Sequence, residues 1–408
     1  MRRNLAFAMA ALVLGLALVG AAAAAPAVNL TFFCGHGDME QGTKEVIAAY
    51  EKAHPNVTIT DMYNSKDYET QFQSMLASNT LPDMALVIQQ RIPEYAGLGL
   101  FRDLSDRPVA QRMFDVAKAA NTYQGKLYAV PYHLQGYGLL YNPDLFAKAG
   151  ITQPPRTLTE LKAVVAKLKA AGITPFVSQF KEQWACGQYL LFGISPMLAA
   201  NPSLITDVNS GAKSFDNDTF RSIFDYLDIV KANVPPNPMD YAFGEGATYF
   251  GQQKAAMAIH GDWILQTALQ ANPNLKVKIV GIPYSENPND PRVVVGVADG
   301  MGIVASSPHL AQTIDFFDYY TTVASAQIIS KYNHAFAPQK GFDTSGLNGV
   351  YTDISNLIAQ GKGVGWEWSK LNPVVVQEAD KSVQAYLTGS LTRDQVLNNI
   401  EKTLATAR

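Results

Sequence analysis

Four carboxylates and four tryptophans stand out among the side chains of this 408-residue chain that could do chemistry. Asp38, Asp262, Asp299 and Glu367 could furnish the two carboxyls of a glycoside hydrolase, one as general acid and one as nucleophile. They could equally serve as plain acceptors for ligand hydroxyls. Trp184, Trp263, Trp366 and Trp368 offer flat apolar faces suited to the C–H face of a sugar ring or, through their π-electrons, to an organic cation. Burying roughly 50 Å² of an indole face on each partner contributes about 2 to 3 kcal/mol. Packing in a core is the alternative for each of them. Trp366 and Trp368 share a face if their segment is extended and diverge if it is helical.

Amides match hydroxyls because they both donate and accept. Gln89 and Gln90 follow the apolar run Met84–Ile88 at its C-terminal end, where open α/β sheets bind ligands. His36 and Asp38 lie in the loop CGHGDMEQGT just before a helix, so Asp38 is either a ligand acceptor or a helix cap, and the same choice applies to Asp262. The six histidines show no H-E-x-x-H spacing, and the two cysteines are too distant for a local zinc site, so no metal is expected. No G-x-S-x-G elbow, P-loop or post-strand G-x-G-x-x-G is present, and no cofactor is expected.

Composition narrows the class. A length of 408 residues exceeds what one core usually serves, and 48% hydrophobic against 16% charged residues suits a loop-rich protein with ample core. The formal charge of -3 and the lack of Lys/Arg runs argue against nucleic acid as a partner. Arg2 and Arg3, the apolar run Leu5 to Val19 and the small residues Gly20 to Ala25 form the three parts of a secretory signal peptide, residues 1–25, with cleavage expected near Ala21 to Ala25. No cysteine ends the run to carry a lipid.

The elements that must position these groups alternate. Asn29 to Phe33 reads as a strand; Val46, Ala49, Tyr50 and Ala53 mark one face of a helix ending before Pro55; Val57 to Met62 is a second strand. A helix through Tyr68, Phe72, Met75 and Leu76 leads to Met84–Ile88, a strand buried on both faces. This succession predicts a mostly parallel sheet with helical layers. Leu127 to Val130, Pro131, Gly136, Gly138 and Leu139 to Tyr141 describe an interrupted strand that can bend as it leaves one domain for another. Thr157 to Glu160 is a capping box, and the helix it starts buries Leu161, Val164, Val165 and Leu168. Thr174 to Ser178 is a strand, Trp184 to Trp263 is mainly helical, and Val293 to Ala305 and His334 to Gly341 offer two more crossings.

LPDMALV, GKLYAVPY with YGLLYNPDLFAKAGI, GQQKAAMAIHGDW, GVADGMGIVASS and LTGSLTRDQVLNNIEKTL, in this order and spacing, resemble the extracellular solute-binding proteins of ABC importers, family 1, the sugar-binding, maltose-binding-protein-like branch. The resemblance implies an α/β, two-lobed periplasmic binding protein fold of type II. Each lobe would hold a mixed, mostly parallel sheet flanked by helices, with hinge crossovers between the lobes. It assigns residues 28–136 plus 300–337 to an N-terminal lobe and 138–298 plus 340–408 to a C-terminal lobe. It places Cys34 and Cys186 in different lobes, where free or buried thiols are expected rather than a bridge.

By the same resemblance the ligand would meet His36, Asp38, Gln89, Gln135, Tyr137, Trp184, Asp262, Trp263, Asp299, Gly300, Met301 and Trp366. Gln135 and Tyr137 would face the cleft floor, and Gly300 and Met301 would offer backbone groups. The implied protein is a monomer without catalysis or cofactor, periplasmic or extracellular, that captures a sugar and presents it to ABC permease subunits. The competing readings are a binding protein for another polar solute such as a polyamine, and a secreted glycoside hydrolase.

Overall fold

The structure, a computed structural model, describes residues 26–64, 67–198 and 201–407, so the expected signal segment lies outside the described residues. Its strands in chain order are β1 Val28–Cys34, β2 Val57–Tyr63, β3 Met84–Ile88, β4 Thr122–Tyr123, β5 Lys126–Leu127, β6 Gln135–Tyr141, β7 Thr174–Phe176, β8 Ala255–Gly261, β9 Lys278–Val280, β10 Val293–Gly296, β11 Asp299–Ile303 and β12 Gly363–Val364. Two main sheets result, β11-β3-β1-β2 and β12-β10-β6-β8-β7, with β9 also on β6 and a small β4-β5 ribbon aside.

The first sheet follows the sequence reading. β1 runs parallel to β2 and β3, and β11 closes the edge antiparallel to β3. The second sheet departs from the mostly parallel expectation. Its central strand β6 is antiparallel to β8, β9 and β10, and only the β7-β8 and β10-β12 pairs are parallel. One reason is that β6 carries the chain into this sheet and β10 carries it back out toward β11, so the two run in opposite directions.

Local chemistry sets the helix ends. Asn142 accepts from the amides of Asp144 and Leu145 and starts helix Pro143–Lys148. Thr157 accepts from the Glu160 amide, but the Glu160 carboxylate reaches back to the amide of Arg156 rather than that of Thr157, so the capping box closes one residue early. Helix Glu40–Ala53 buries Gly42, Thr43, Val46, Ile47 and Tyr50 and leaves Ala49 and Ala53 exposed, a correction to the expected face. Helix Val323–Asn333 causes the rotation. It packs so near that a Cβ on Gly42 would stand 2.6 Å from the Ile329 Cα.

Three chain segments cross between the two sheets and are tied to one another. Val130 and Met301 exchange a pair of backbone hydrogen bonds of 2.9 Å each, β6 pairs with β10 from Gln135 to Tyr137, and the Leu134 amide donates to the Phe336 carbonyl at 2.7 Å. Apolar packing follows these ties. One continuous core runs from Phe32 and Leu86 in the first sheet through Phe336 to Val295, Ala258 and Ile354 on one face of the second, while a separate core fills the opposite face around Phe192, Phe224 and Val383. Cys34 belongs to the first core and Cys186 to the second, and the two form no disulfide. Burial pushes the Cys186 thiol well above its ordinary value.

Within the second core Asp380, on helix Pro373–Leu387, presses on Gly187 of helix Gln183–Met197, and burial raises its carboxyl from 3.8 to about 7. The folded state thus holds this proton more tightly than the unfolded chain. Its contribution is full below pH 3.8 and is lost as pH rises to about 7. Because Asp380 is partly exposed, the loss is about 1 to 2 kcal/mol after solvent screening. Urea titrations at pH 4 and pH 7 are expected to show a smaller stability difference in Asp380→Asn than in the parent, and equal differences would refute this assignment.

Candidate ligand-binding site

The end of β8 builds the most distinctive part of the site. Ala255 to Gly261 is buried at every position, and small residues let β8 pack between β6 and β7. The chain then turns through Asp262 and Trp263 into helix Ile264–Ala271. The Trp263 ring folds over Gly261 so closely that a Cβ there would lie 1.9 Å from the indole, which leaves glycine as the residue that fits. Trp263 itself is the N-cap residue, and the helix start has no side-chain capping bond, so Asp262 is not a cap.

Asp262 is instead 1% exposed, and neither carboxylate oxygen makes a hydrogen bond. Its amide donates to the Gly136 carbonyl at 2.9 Å, which fixes it to the first crossing. His133 Nε2 stands 3.9 Å from Oδ2, too far for a hydrogen bond. Burial raises the Asp262 carboxyl, and His133 opposes that shift. An unpaired buried carboxylate is costly, so this group has acceptor capacity that the protein leaves unused.

The next residue, Trp263, belongs to an aromatic cluster. Trp263 meets Trp366 edge-on at 6.3 Å, Trp366 stacks with Trp368 at 6.2 Å and 26°, and Phe192 lies 5.4 to 6.1 Å from all three. Although Glu367–Lys370 is a 3-10 turn, Trp366 and Trp368 gather on Phe192, and the Nε1 of each is buried without a hydrogen-bond partner. Trp184, 37% exposed, stands 5.5 Å from Phe243 and 6.1 Å from His260. His260 pairs Nδ1 with the Gly261 carbonyl at 3.0 Å, and burial lowers its pKa to about 4, so it is a neutral ring whose Nε2 has no partner.

From the first sheet come polar groups. His36 Nε2 is 2.6 Å from Asp299 Oδ2, and the His36 ring lies 4.9 Å from Tyr132. Gln89 donates its backbone N–H to the Ala298 carbonyl, while its buried Oε1 has no partner. Gln89, Gln90 and Tyr123 face Gly296, Trp366 and Glu367 across a cavity of about 470 Å³, the place where elements of both sheets share one hollow. Gln135 begins β6 opposite Gly296, half-buried beside this hollow.

Three sequence-derived assignments are corrected. Tyr137 does not face a cleft. It is fully buried, stacks on Phe192 at 4.2 Å and donates to the Ile259 carbonyl at 3.3 Å, because its place in β6 points it into the second core. Met301 has its amide and carbonyl engaged by Val130, and Gly300 sits in the ladder opposite Val87. A Cβ on Gly300 would meet the backbone of Val130 and Pro131 at 2.8 Å, so this glycine serves the close passage of two chain segments. The side chain of Asp38, in the turn Gly37–Met39, lies outside the described residues.

Sequence reasoning missed Tyr132, His133, Phe192 and Phe243, and saw His260 only as a letter in a motif. His133 had a usable signal, since it lies two residues from Gln135 on the same extended crossing. Phe192 had none, because helix Gln183–Met197 is buried on nearly every side and its apolar residues look alike. Chemically, the ensemble suits a ligand with an apolar face for the rings and hydroxyls for the carboxylate and amides. Each described carboxylate has a different basic neighbour. Asp262 faces His133, Asp299 holds His36, and Glu367 holds Lys370. Among the described residues no group of three or more metal-ligating side chains occurs.

The chain resembles known proteins. Residues 36–327 match the model for the bacterial extracellular solute-binding protein. The melibiose/raffinose/stachyose-binding protein MelE of Bacillus subtilis is 26% identical over 333 residues, covering 78% of this chain and 74% of that protein. Among solved structures, the apo-form of RafE from Streptococcus pneumoniae superposes with a TM-score of 0.81 at 18% identity, covering 93% of this chain and 98% of that one. RafE in complex with raffinose gives 0.76 at 18% identity over 93% and 99%.

Proposed function

Because this chain belongs to the bacterial extracellular solute-binding protein family, we propose that it captures a sugar, a mono- or oligosaccharide, between two lobes and delivers it unchanged to ABC permease subunits. The lobes are 28–136 with 300–337 and 138–298 with 340–408, the protein acts as a monomer in the periplasm or outside the cell, and residues 1–25 direct its export. The observation that carries the reading is Asp262, a buried carboxylate with both oxygens unused, next in the chain to Trp263 of an aromatic cluster. His36, Gln89, Gln135, Trp184, Asp262, Trp263, Asp299 and Trp366 are its ligand-facing groups. Contacts to both lobes favour the closed arrangement, since only a ligand that binds one state better can shift the balance.

Relatives that bind melibiose, raffinose and stachyose make α-galactosides the first sugars to try. A thermal-shift screen of melibiose, raffinose, stachyose, maltotriose, xylotriose and spermidine is expected to raise the melting temperature by about 3 to 5 °C for a sugar at a hundred times its Kd. A shift with spermidine alone would replace sugar by a cation as the ligand. Loss of mass from a bound oligosaccharide would make the protein a hydrolase instead.

A further inference from the structure

We infer that one hydroxyl of the ligand seats between His133 and Asp262, donating to the carboxylate and accepting from the imidazole, which makes His133 a ligand-contacting residue. The inference rests on the sugar-capture reading and names how that site reads a hydroxyl. Geometry carries it. His133 Nε2 and Asp262 Oδ2 stand 3.9 Å apart, too far to bond each other and too near to ignore each other. An oxygen placed about 2.8 Å from both would see them at about 90°, an angle at which one hydroxyl can donate along one direction and accept along the other. Both atoms are buried, and neither has a hydrogen-bond partner within the protein.

Their attachments give the pair its use. His133 lies on the first crossing, two residues before β6, while Asp262 directly follows β8 and is anchored through its amide to the Gly136 carbonyl on that crossing. A hydroxyl filling the gap therefore ties the crossing segment to the wall that carries Trp263. It also discriminates. An ammonium group can donate to Asp262 but has no lone pair to accept from an imidazole N–H, whereas a hydroxyl satisfies both partners at once. A bare carboxylate among aromatic rings would not make that distinction.

Calorimetric titration with raffinose, melibiose and stachyose tests the assignment on the full mature chain. His133→Phe keeps a ring but loses the donor, and it is expected to weaken the tightest of the three sugars at least tenfold. His133→Gln restores an N–H at similar reach and should bind within about threefold of the parent. Because both groups act on one hydroxyl, the loss in the double variant His133→Phe/Asp262→Asn should fall about tenfold short of the product of the two single losses. Unchanged affinity in His133→Phe overturns the inference. So does a loss that His133→Gln fails to rescue and that multiplies with Asp262→Asn, the behaviour of a residue that only supports the fold. If none of these three binds, the sugar that the thermal-shift screen identifies takes their place in the same cycle; if no sugar of that screen binds, the sugar-capture reading falls first and this inference with it.

Discussion

Gly261→Ala should lose about 30- to 150-fold in sugar affinity, the share of binding that a stacked indole supplies at 2 to 3 kcal/mol. A methyl group at this position would meet the Trp263 ring at 1.9 Å, so either the ring leaves its place or β8 shifts away from it. The ring is the softer of the two, because β8 is held between β6 and β7. Displacing an aromatic ring from its packing costs about 1 to 3 kcal/mol of stability as well. Calorimetry and urea denaturation on the same sample separate the two effects. Trp263→Ala should reproduce the affinity loss from the other side. If Gly261→Ala binds sugar like the parent, the indole over this glycine is not a ligand surface.

Removing the buried carboxylate is expected to separate stability from function. In Asp262→Leu the protein loses a buried carboxyl whose two oxygens make no hydrogen bond, and replacing such a group by an apolar one of similar size is expected to stabilise the fold by about 1 to 3 kcal/mol. Binding should fall by more than a hundredfold, since a hydroxyl would face hydrocarbon where it had an acceptor. The pH dependence supplies an independent check. Burial raises the Asp262 carboxyl above 3.8, so the native state takes up its proton more readily than the unfolded chain, and this contribution fades as pH climbs past that value. Asp262→Leu should lack that component. A variant that is less stable than the parent at neutral pH would show that the carboxylate supports the fold, and the assignment of its acceptor capacity to a ligand would fail.

The sequence made the strands of the first sheet readable because each is a short apolar run bounded by turn residues, and Met84–Ile88 matches β3 residue for residue. It was less informative about faces. Helix Glu40–Ala53 turns Gly42 toward Ile329, a contact almost three hundred residues away that no local period encodes. The same limit explains Tyr137. Its neighbours in sequence mark a crossing, but in β6 Tyr137 shares a face with Leu139, and at both positions that face is packed into the second core. Motif wording located Asp262 and Trp263, yet their meaning came from what the chain does not provide, a cap for one and an open strand position for the other. His133 became visible only when the fold set it 3.9 Å from a carboxylate more than a hundred residues later.

All the tryptophans of this protein sit on the second-sheet side, and Trp263, Trp366 and Trp368 share Phe192 while Trp184 joins through His260. The first sheet, its helices and its half of the hollow contain none. Light emitted by the chain under indole excitation therefore originates from this one neighbourhood, with no background from elsewhere in the molecule. An optical signal that other proteins acquire only by labelling is here written into the native sequence, and any event that dries, tilts or separates these rings reports itself.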